Sequence, residues 1–428
     1  MKLLIGGSPC THWSIAQTKN REVTAEGIGW ELFLNYRIAR DKYQPDYFLY
    51  ENNKSMSSAI REQITAELGV EPVLINSALV SAQNRQRLYW VGRRNPDGTY
   101  SQVAVEQPVD RGILLRDILE SGVCCGNGGG CGAKTGLYAV PIPEPVNETV
   151  EGKAHCLRAT YYKDGIRNLV GNTVDRKTCV AIPVPAAGRI VGRRVDEQGH
   201  RDDYNEAIPH FQYFEVNEDP QKTNCLTTVQ KDNMIAVPVR VGAMPNRDGE
   251  LGTSQSRLVI EAADGKQMPV YEVRGGYITI KGKTYPIKLA DGFYVIRKLT
   301  VTECKRLQTV PDTYTFPVSD TQAYKMLGNG WTVDVIAHIM SHFLGLTKEP
   351  VEVLSMYDGM GCGHIALNKL GAKISTYYAT EIDKYAIQTT QHNFPDTVQL
   401  GDAFQVRDTM WSVRKEAEHE PTARAAGT

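Results

Sequence analysis

The first ten residues of the chain end in a cysteine whose position suits nucleophilic chemistry. Residues 2–5 read as a short apolar strand of the buried parallel type, which stops at two glycines and a proline just before Cys10. In open α/β sheets the ligand lies beyond the carboxyl ends of the strands, so this thiol would face a substrate as a thiolate nucleophile. The alternative is a buried structural cysteine beside a turn. The polar loop from Thr11 to Gly29 is long enough to close over such a site.

A second group of residues, near the other end of the chain, predicts a nucleotide-type cofactor site. The strand at 351–357 runs into a glycine-rich loop and a helix, which lets backbone approach a ligand closely. Glu381 follows the next strand, where it would accept hydrogen bonds from ribose hydroxyls, and Asp402 follows a third, where it would bind an adenine amine. A tight strand-to-helix turn is the structural alternative. The residues that we expect to hold the cofactor here are Tyr357, Asp358, Gly359, Met360, Gly361, Cys362, Gly363, Glu381, Ile382, Asp402 and Ala403.

The glycine loop also limits the kind of cofactor. It lacks the Gly-Lys-Ser/Thr sequence with which NTPase loops hold phosphates. Its leading aspartate, Asp358, suits a cofactor that has a positive centre and no phosphates, such as S-adenosylmethionine. A dinucleotide of the NAD type is the alternative.

Composition sets broad limits on the protein class. The chain has 428 residues, 41% hydrophobic and 23% charged, which is typical of a globular protein of two or three domains. Its formal net charge is −1, so no overall positive field indicates a nucleic-acid partner, although a local basic cleft would not show in this sum. Nine cysteines without a secretory signal favour a reducing compartment, and no apolar run is long enough to span a bilayer. We therefore expect a cytoplasmic protein without a membrane partner.

The elements that must position these residues alternate between strands and helices at both ends of the chain. Apolar runs predict strands at 47–50, 73–75, 88–91, 351–357, 376–380 and 397–400. Helical spacing predicts helices at 29–39, 56–68, 299–307, 333–346, 364–370 and 384–393. This pattern predicts an α/β fold with a Rossmann-like sheet.

The middle of the chain has a different texture. Between residues 96 and 294 glycine and proline become frequent, and three similar short strands are expected at 138–141, 180–183 and 235–238. A hairpin is predicted at 277–287, and residues 153–157 resemble residues 222–226. We read this part as an irregular, β-rich inserted domain.

Eight short stretches form the most specific pattern in the chain. They are residues 6–10, 51–53, 83–87, 297–308, 327–331, 358–363, 381–382 and 401–402. In this order they resemble motifs IV, VI, VIII, IX, X, I, II and III of the DNA cytosine-C5 methyltransferases. The Ser-Pro-Cys and Tyr-Asp-Gly sequences and Trp331 most resemble the eukaryotic de novo enzymes and some phage enzymes.

The order of these motifs departs from that family. The usual order begins with motif I and ends with motif X, whereas here motifs IV to X come first. We therefore expect a circular permutation in which residues 345–350 join the natural ends, because the ends of a compact domain usually lie close together. A smaller departure is Asn53, where the family usually has valine after Glu-Asn.

The resemblance also implies a domain plan. Residues 1–95 would form the first part of the catalytic domain and residues 96–294 the target-recognition domain. Residues 295–350 and 351–414 would complete the catalytic domain, the latter as its cofactor-binding part. The polar tail at 415–428 is expected to be disordered.

The resemblance implies a DNA (cytosine-5-)-methyltransferase that uses S-adenosylmethionine and double-stranded DNA. Cys10 would add to C6 of the cytosine, which makes C5 nucleophilic enough to attack the methyl sulfonium. Glu51 would hold a proton at N3 and bind the exocyclic amine. Arg85 and Arg87 would anchor the base carbonyl and a phosphate, with surface salt bridging as the alternative.

Other positions follow from the same resemblance. Four residues, Pro9, Asn329, Gly330 and Trp331, would line the cofactor. The target base is stacked in the duplex and must flip out, so Ser14, Ala16 and Gln17 in the loop after Cys10 are expected to contact DNA. Arg193 and Arg194 are candidate phosphate contacts, although acidic neighbours favour a solvated loop there.

Several alternatives stay open at this point. The substrate could be tRNA, the donor could be a modified S-adenosylmethionine, or the protein could bind DNA without catalysis. No metal site is expected, because the spacing of Cys124, Cys125 and Cys131 fits no standard zinc pattern. We expect a monomer in the cytoplasm of a bacterium or of a phage-infected host, where the activity would serve restriction–modification or phage self-protection.

Overall fold

The computed structural model describes twelve stretches of the chain. They are residues 1–14, 21–120, 137–141, 185–194, 202, 205, 207–208, 211–228, 233–243, 259–261, 267–280 and 283–408. The expected strand at 180–183 and the expected disordered tail at 415–428 lie outside these parts.

The chain divides into two compact units. The first unit comprises Met1–Ile118, Asn224–Val229 and Thr300–Thr428, and the second comprises Leu119–Thr223 and Gln230–Leu299. The boundaries of these units, at 118 and 299, differ from those predicted at residues 95 and 294, and the predicted domain roles stay predictions. The segment Asn224–Val229 also leaves the expected inserted domain, because it packs on the first unit.

Nineteen strands and nine α-helices are formed by the described residues. The strands are β1 (Lys2–Gly6), β2 (Tyr47–Asn53), β3 (Pro72–Asn76), β4 (Gln83–Asn84), β5 (Gln86–Arg94), β6 (Tyr100–Gln102), β7 (Leu137–Pro141), β8 (Ala186–Arg193), β9 (Phe211–Val216), β10 (Thr223–Asn224), β11 (Met234–Ala243), β12 (Val259–Glu261), β13 (Gln267–Arg274), β14 (Tyr277–Ile280), β15 (Lys283–Pro286), β16 (Gly292–Lys298), β17 (Pro350–Met356), β18 (Lys373–Thr380) and β19 (Thr397–Gly401). The helices are α1 (Gly27–Tyr43), α2 (Ser58–Leu68), α3 (Leu115–Ile118), α4 (Val301–Leu307), α5 (Asp320–Asn329), α6 (Val333–Met340), α7 (Cys362–Lys369), α8 (Lys384–Asn393) and α9 (Ala403–Asp408).

The first unit is built on one sheet whose strand order is β19-β18-β17-β1-β2-β5-β3, with β6 paired to β5. The five strands from β19 to β2 run parallel, and β5 is antiparallel to both of its neighbours. Parallel strands covered on both faces read as continuous apolar runs, which is the pattern that β1 and β2 show. The predicted Rossmann-like sheet is confirmed.

The first strand of the chain, β1, and a strand from the C-terminal part of the chain, β17, are neighbours at the centre of this sheet. Strand β1 pairs in parallel with β17, and Leu4 lies opposite Leu354. The backbone nitrogen of Glu352 donates to the carbonyl of Met1 at 2.9 Å. The predicted pairing of these strands is confirmed, and it brings the loop after β1 and the loop after β17 to the same edge. The circular permutation of the motif order stays a prediction.

Helix α7 packs directly on β1 because its first turn contains a glycine. A Cβ atom at Gly363 would lie 2.2 Å from Cδ1 of Ile5 and 3.0 Å from the hydroxyl of Tyr377. Any larger side chain would push the helix away from the sheet. The glycine-rich loop before α7 is therefore held close to the carboxyl end of β1.

Two helix predictions for the first unit were incomplete. The helix predicted at 333–346 ends at Met340, so its second half was wrong. There Ser341 Oγ donates to the His338 carbonyl, and the amide of Leu344 donates to the Tyr47 hydroxyl at 3.1 Å instead of continuing the helix. Helix α5 was not predicted, because its sequence is mostly polar and few of its residues are buried.

The second unit is a mainly antiparallel β-structure in the part of the chain that is described. Its strand order is β15-β14-β13-β16-β11-β8-β9, with β12 on β13 and β7 on β11. Strands β14 and β15 form the two arms of the predicted hairpin. Its core side chains include those of Phe214, Ala236, Val273, Ile278, Ile287 and Tyr294. Across both units, none of the described helices combines the length and apolar character that a membrane span requires.

Leu354 tests the central strand pairing, because its side chain is 2% exposed and belongs to the main core. We expect Leu354→Ala to lower the free energy of unfolding by about 2–5 kcal/mol, through lost burial and a residual cavity. The measurement is urea denaturation followed by circular dichroism. Leu344→Ala is the matched control, since Leu344 is 69% exposed, and equal effects of the two variants would contradict this packing.

Candidate active site

Glu51 lies at the carboxyl end of β2, where two donor side chains anchor its carboxylate. Its side chain is buried, Oε1 lies 3.0 Å from Nε of Arg87, and Oε2 accepts a hydrogen bond of 2.9 Å from Nε1 of Trp331. Arg87 reaches Glu51 because β2 and β5 are antiparallel, so that the two side chains are diagonal neighbours across the pair. Glu51 therefore contacts two other predicted site residues. One is Arg87, which was predicted to bind the substrate, and the other is Trp331, which was predicted to line the cofactor.

The loop that carries Cys10 is fixed against the end of β2. A Cβ atom at Gly7 would lie 2.8 Å from Oε2 of Glu51, so only glycine allows this approach. Next to it, Ser8 Oγ and the Tyr50 hydroxyl lie 2.6 Å apart, and Asn52 Nδ2 donates to the Ser8 carbonyl at 3.2 Å. All three side chains are buried. The backbone before Cys10 therefore has a defined position relative to Glu51.

The first turn after this loop is a short 3-10 helix, Cys10–His12. Pro9 is exposed at its start, and Ser14 is half-buried just beyond it. Ala16 and Gln17, both expected to contact DNA, lie outside the described residues. The roles of all these residues stay predictions.

Arg85 holds three segments of the first unit together. Its Nη2 donates to the Gly330 carbonyl at 2.8 Å, and its Nη1 donates to the Gly328 carbonyl at 3.3 Å and to Cys225 Sγ at 3.0 Å. Arg87 Nη2 donates to the same sulfur at 3.3 Å. A nearly buried arginine with these partners is part of the scaffold of the site, whatever it contributes to substrate binding.

Sequence reasoning missed Cys225 as a site residue. The only signal was the similarity of residues 153–157 to 222–226, which contains the cysteine but does not indicate where it lies. Burial raises the pKa of the Cys225 thiol, but the charges of Arg85 and Arg87 and their hydrogen bonds lower it more, so the net shift is downward. The sulfur is accordingly a strong hydrogen-bond acceptor.

The glycine-rich loop after β17 is locked to the end of β18 by Glu381. The amide of Gly359 donates to Oε2 of Glu381, and the amides of Ile382 and Asp383 donate to Oε1, each at 2.8 Å. Gly359 has φ of +60°, and nothing lies within 4 Å of the position its Cβ would take. The loop backbone and Glu381 thus border open space, while Ile382 stays 74% exposed.

The third acidic position, Asp402, follows the neighbouring strand β19. Its Oδ1 accepts a hydrogen bond of 2.9 Å from the amide of Phe404, which caps α9. The amide of Glu381 donates to the carbonyl of Gly401 at 3.0 Å, so both carboxylates lie at the same edge of the sheet. Ala403 is buried beside them.

At the end of β17, Tyr357 has a strained backbone conformation and Asp358 has a buried carboxyl group. Tyr357 has φ of +61°, which is strained for a tyrosine, and its hydroxyl donates to the Leu32 carbonyl at 2.7 Å. Asp358 is buried and accepts a hydrogen bond of 2.7 Å from the Tyr377 hydroxyl. Burial raises the pKa of Asp358 to about 6, although contacts with Ser355 and Tyr377 oppose this shift.

The segment Asn329–Trp331 connects the glycine loop to Glu51. A Cβ atom at Gly330 would lie 3.2 Å from Cys362 Sγ, and the Trp331 backbone forms a hydrogen bond with the Cys362 thiol. Burial raises the pKa of Cys362 to about 12, so this thiol is neutral at physiological pH. Met360, in the same loop, is buried, and its carbonyl accepts a hydrogen bond of 2.6 Å from the Tyr314 hydroxyl. Asn329 itself is the exposed last residue of α5.

Arg193 and Arg194 belong to the second unit. Arg193 lies at the end of β8, with Nη2 3.6 Å from Oε1 of Glu215 on the paired strand β9. Arg189 donates to the other carboxylate oxygen of Glu215 at 2.8 Å. The expected contact of Arg193 and Arg194 with phosphate stays a prediction.

Comparison with known proteins places this geometry in context. The chain matches the family model described as C-5 cytosine-specific DNA methylase over residues 1–126 and 201–344. It is 29% identical over 163 residues to DNA (cytosine-5)-methyltransferase DRM1 of Arabidopsis thaliana, which covers 38% of this chain but 23% of that protein. The chain therefore spans about a quarter of the length of this plant relative.

Two further similarities extend over most of the chain. Type II methyltransferase M.Sau3AI of Staphylococcus aureus is 24% identical over 363 residues, which is 79% of this chain and 76% of that protein. The crystal structure of S. pombe Dnmt2 methyltransferase matches 80% of this chain and 77% of that one, with 14% identity and a TM-score of 0.30.

Asp358 gives the protein a measurable pH dependence. Because the folded carboxyl has a pKa of about 6 against 3.8 for the free group, the folded state binds its proton more tightly. The free energy of unfolding should therefore fall as the pH rises from about 4 to 6, by up to roughly 3 kcal/mol. Asp358→Asn removes this contribution and should be the more stable protein above pH 6.

The measurement is urea denaturation of both proteins from pH 4 to 8. Asp402→Asn is the matched control, since Asp402 is only half-buried at the same edge of the sheet. A stability difference between wild type and Asp358→Asn that is constant over this range would contradict the assignment.

Proposed function

Since the chain belongs to the C-5 cytosine-specific DNA methylases, we propose that it transfers a methyl group to C5 of cytosine in DNA. The observation that supports this most directly is the buried Glu51 carboxylate, which Arg87 and Trp331 hold beside the backbone of the Cys10 loop. Such a site would combine a nucleophile, Cys10, with a carboxylate that can hold a proton, Glu51. This is the pairing that activation of cytosine requires.

The proposed chemistry follows from the poor nucleophilicity of C5. The Cys10 thiolate would add to C6, and the electron pair of the C5–C6 double bond would make C5 nucleophilic enough to accept a methyl group. The sulfur of the donor would keep the electron pair of the S–CH3 bond that breaks. Loss of the proton from C5 then restores the double bond and expels the Cys10 sulfur. The base must leave the helix for this addition, because neither face of a stacked cytosine is accessible.

Glu51 would stabilise the negative charge that develops on the ring. Each carboxylate oxygen has two lone pairs, so the bonds to Arg87 and Trp331 leave acceptor capacity for the exocyclic amine, and for N3 once N3 carries a proton. A proton held between Glu51 and N3 makes C6 more electrophilic during addition. Arg87, next to Glu51, would also bind the base carbonyl or a phosphate.

S-adenosylmethionine is the cofactor that the site fits best. Glu381 and Asp402 lie at one edge of the sheet as acceptors for ribose and adenine, and exposed Ile382 offers an apolar surface for a flat ring. Gly359 leaves open space where a side chain would obstruct a ligand. Bound there, the cofactor supplies a methyl group on a positive sulfur, and buried Asp358 and neighbouring Trp331 would orient it.

DNA is the proposed substrate, and the second unit is proposed to read its sequence. Discrimination among base pairs requires contacts in a groove, and a β-rich unit of this size offers the surface for them. Arg193 and Arg194 would contact phosphates at its edge. We propose that the protein acts as a monomer, in protection of DNA against cleavage.

Two variants test the proposed roles of Cys10 and Glu51. We expect Cys10→Ala to abolish methylation of duplex DNA, because no other group replaces the nucleophile. We expect Glu51→Gln to lower kcat about 10²–10⁴-fold, because the amide keeps the shape but cannot hold the proton. The measurement is bisulfite sequencing of several duplex DNAs incubated with S-adenosylmethionine.

Cys304→Ala is the control, because it removes a buried thiol from a helix of the same unit. Full activity in Cys10→Ala would refute the covalent mechanism. Transfer to tRNA but not to duplex DNA would replace the proposed substrate with RNA.

The nature of the donor gives a separate prediction. A carboxylated S-adenosylmethionine would require a cation near the transferred group, but Asn329 is neutral, and Lys325 is paired with Asp383 at 2.7 Å. We therefore expect plain methyl transfer. Mass spectrometry of nucleosides from cells that express the protein should show 5-methylcytosine, whereas a heavier cytosine adduct would contradict this prediction.

A further inference from the structure

Cys225 lies in none of the motifs that predicted the site, yet its sulfur contacts both arginines of that site. Arg85 Nη1 donates to it at 3.0 Å and Arg87 Nη2 at 3.3 Å. As a donor, the Cys225 thiol bonds a different partner, the carbonyl of Leu226, with 3.5 Å between sulfur and oxygen. The lone pairs of the sulfur therefore remain available as acceptors for the two guanidinium groups.

The guanidinium of Arg87 is held on several sides. Nη2 bonds the Cys225 sulfur, Nε lies 3.0 Å from Oε1 of Glu51, and Nη1 donates to the Gln86 carbonyl at 3.0 Å. Because a guanidinium is planar and rigid, fixing Nη2 also sets the direction in which the Nε–H bond points. The Cys225 sulfur and the Glu51 carboxylate thus both bind the planar guanidinium of Arg87, and together they restrict its orientation.

The position of the sulfur is itself well determined. The amide of Leu226 donates to Oε1 of Gln83 at 3.2 Å, and the Leu226 side chain is buried. Gly328 permits close packing here, since a Cβ atom there would lie 2.7 Å from the backbone of Thr227. Cys225 is therefore presented to the arginines by a segment anchored on both the strand side and the helix side.

We propose that Cys225 is a positioning residue for methyl transfer, whose sulfur orients Arg87 so that the arginine holds the Glu51 carboxylate in its working geometry. This inference rests on the proposed function of Glu51. Without the sulfur acceptor, the Arg87 guanidinium keeps its bond to the Gln86 carbonyl but loses the contact that fixes Nη2, so its Nε–H bond to Glu51 is less well oriented. The position of residues 224–228 within the first unit then has a catalytic consequence as well as a structural one.

A series at this position tests the proposal in the full-length protein. We expect Cys225→Ala to lower kcat for DNA methylation about tenfold, which corresponds to the loss of one orienting hydrogen bond to a charged group. The affinity for S-adenosylmethionine, measured by calorimetry, and the KM for DNA should change less than about twofold. Cys225→Ser keeps an acceptor and should recover most of kcat.

Cys304→Ala serves as the matched control for loss of a buried thiol and should keep wild-type kcat. Two kinetic outcomes would overturn the proposal. One is a Cys225→Ala enzyme with wild-type kcat, and the other is a Cys225→Ser enzyme as slow as Cys225→Ala. If Cys225→Ala proves unstable in thermal denaturation, the comparison of Cys225→Ser with wild type and the spectroscopic measurement below decide.

An activity-independent measurement separates this inference from the proposed function. The Nε–H signal of Arg87 in a ¹⁵N–¹H spectrum, assigned by its loss in Arg87→Lys, reports the bond to Glu51. We expect a shifted, slowly exchanging signal in wild type and Cys225→Ser, and fast exchange in Cys225→Ala. An unchanged signal in Cys225→Ala refutes the positioning role, whereas a wild-type protein that shows this signal but does not methylate DNA refutes only the proposed function.

Discussion

The parallel pairing of β1 with β17 is the constraint on which the site depends. It joins residues at opposite ends of the sequence in one register, with Leu4 against Leu354. Because parallel strands place their carboxyl ends at one edge, the Cys10 loop and the glycine-rich loop must open on the same side of the sheet. Neither loop has to be positioned separately, and the small residue Gly363 lets the following helix close on β1.

Within this frame a buried carboxylate links the remaining parts of the site. A charge removed from water is tolerated only when donors replace its hydration, and Glu51 receives donors from Arg87 and Trp331. Each donor has further partners: Arg87 contacts Cys225, and Trp331 contacts Cys362 through its backbone. The carboxylate therefore couples β2, β5, the segment after α5 and the glycine loop, so that a change in any one alters the others.

Much of this arrangement follows from the sequence, since buried parallel strands have a simple signature and their ends identify Cys10, Glu51 and Glu381. What the sequence lacked was information on contacts between distant segments. The role of Trp331 as a donor to Glu51 and the approach of Cys225 to Arg85 depend on tertiary packing that no local pattern encodes. Helix α6 ended early for the same reason, because an amide bonded the Tyr47 hydroxyl of a distant strand.

The glycine loop shows why a working site is kept at a cost to stability. Tyr357 holds a positive φ, and Asp358 is buried with a pKa raised to about 6, so both destabilise the folded protein at neutral pH. A ligand with a positive centre reverses the second cost, because its charge replaces the water that the carboxylate has lost. Under the proposed function, cofactor binding and folding are therefore linked through this one carboxyl group, and the protein gains stability when it binds its cofactor.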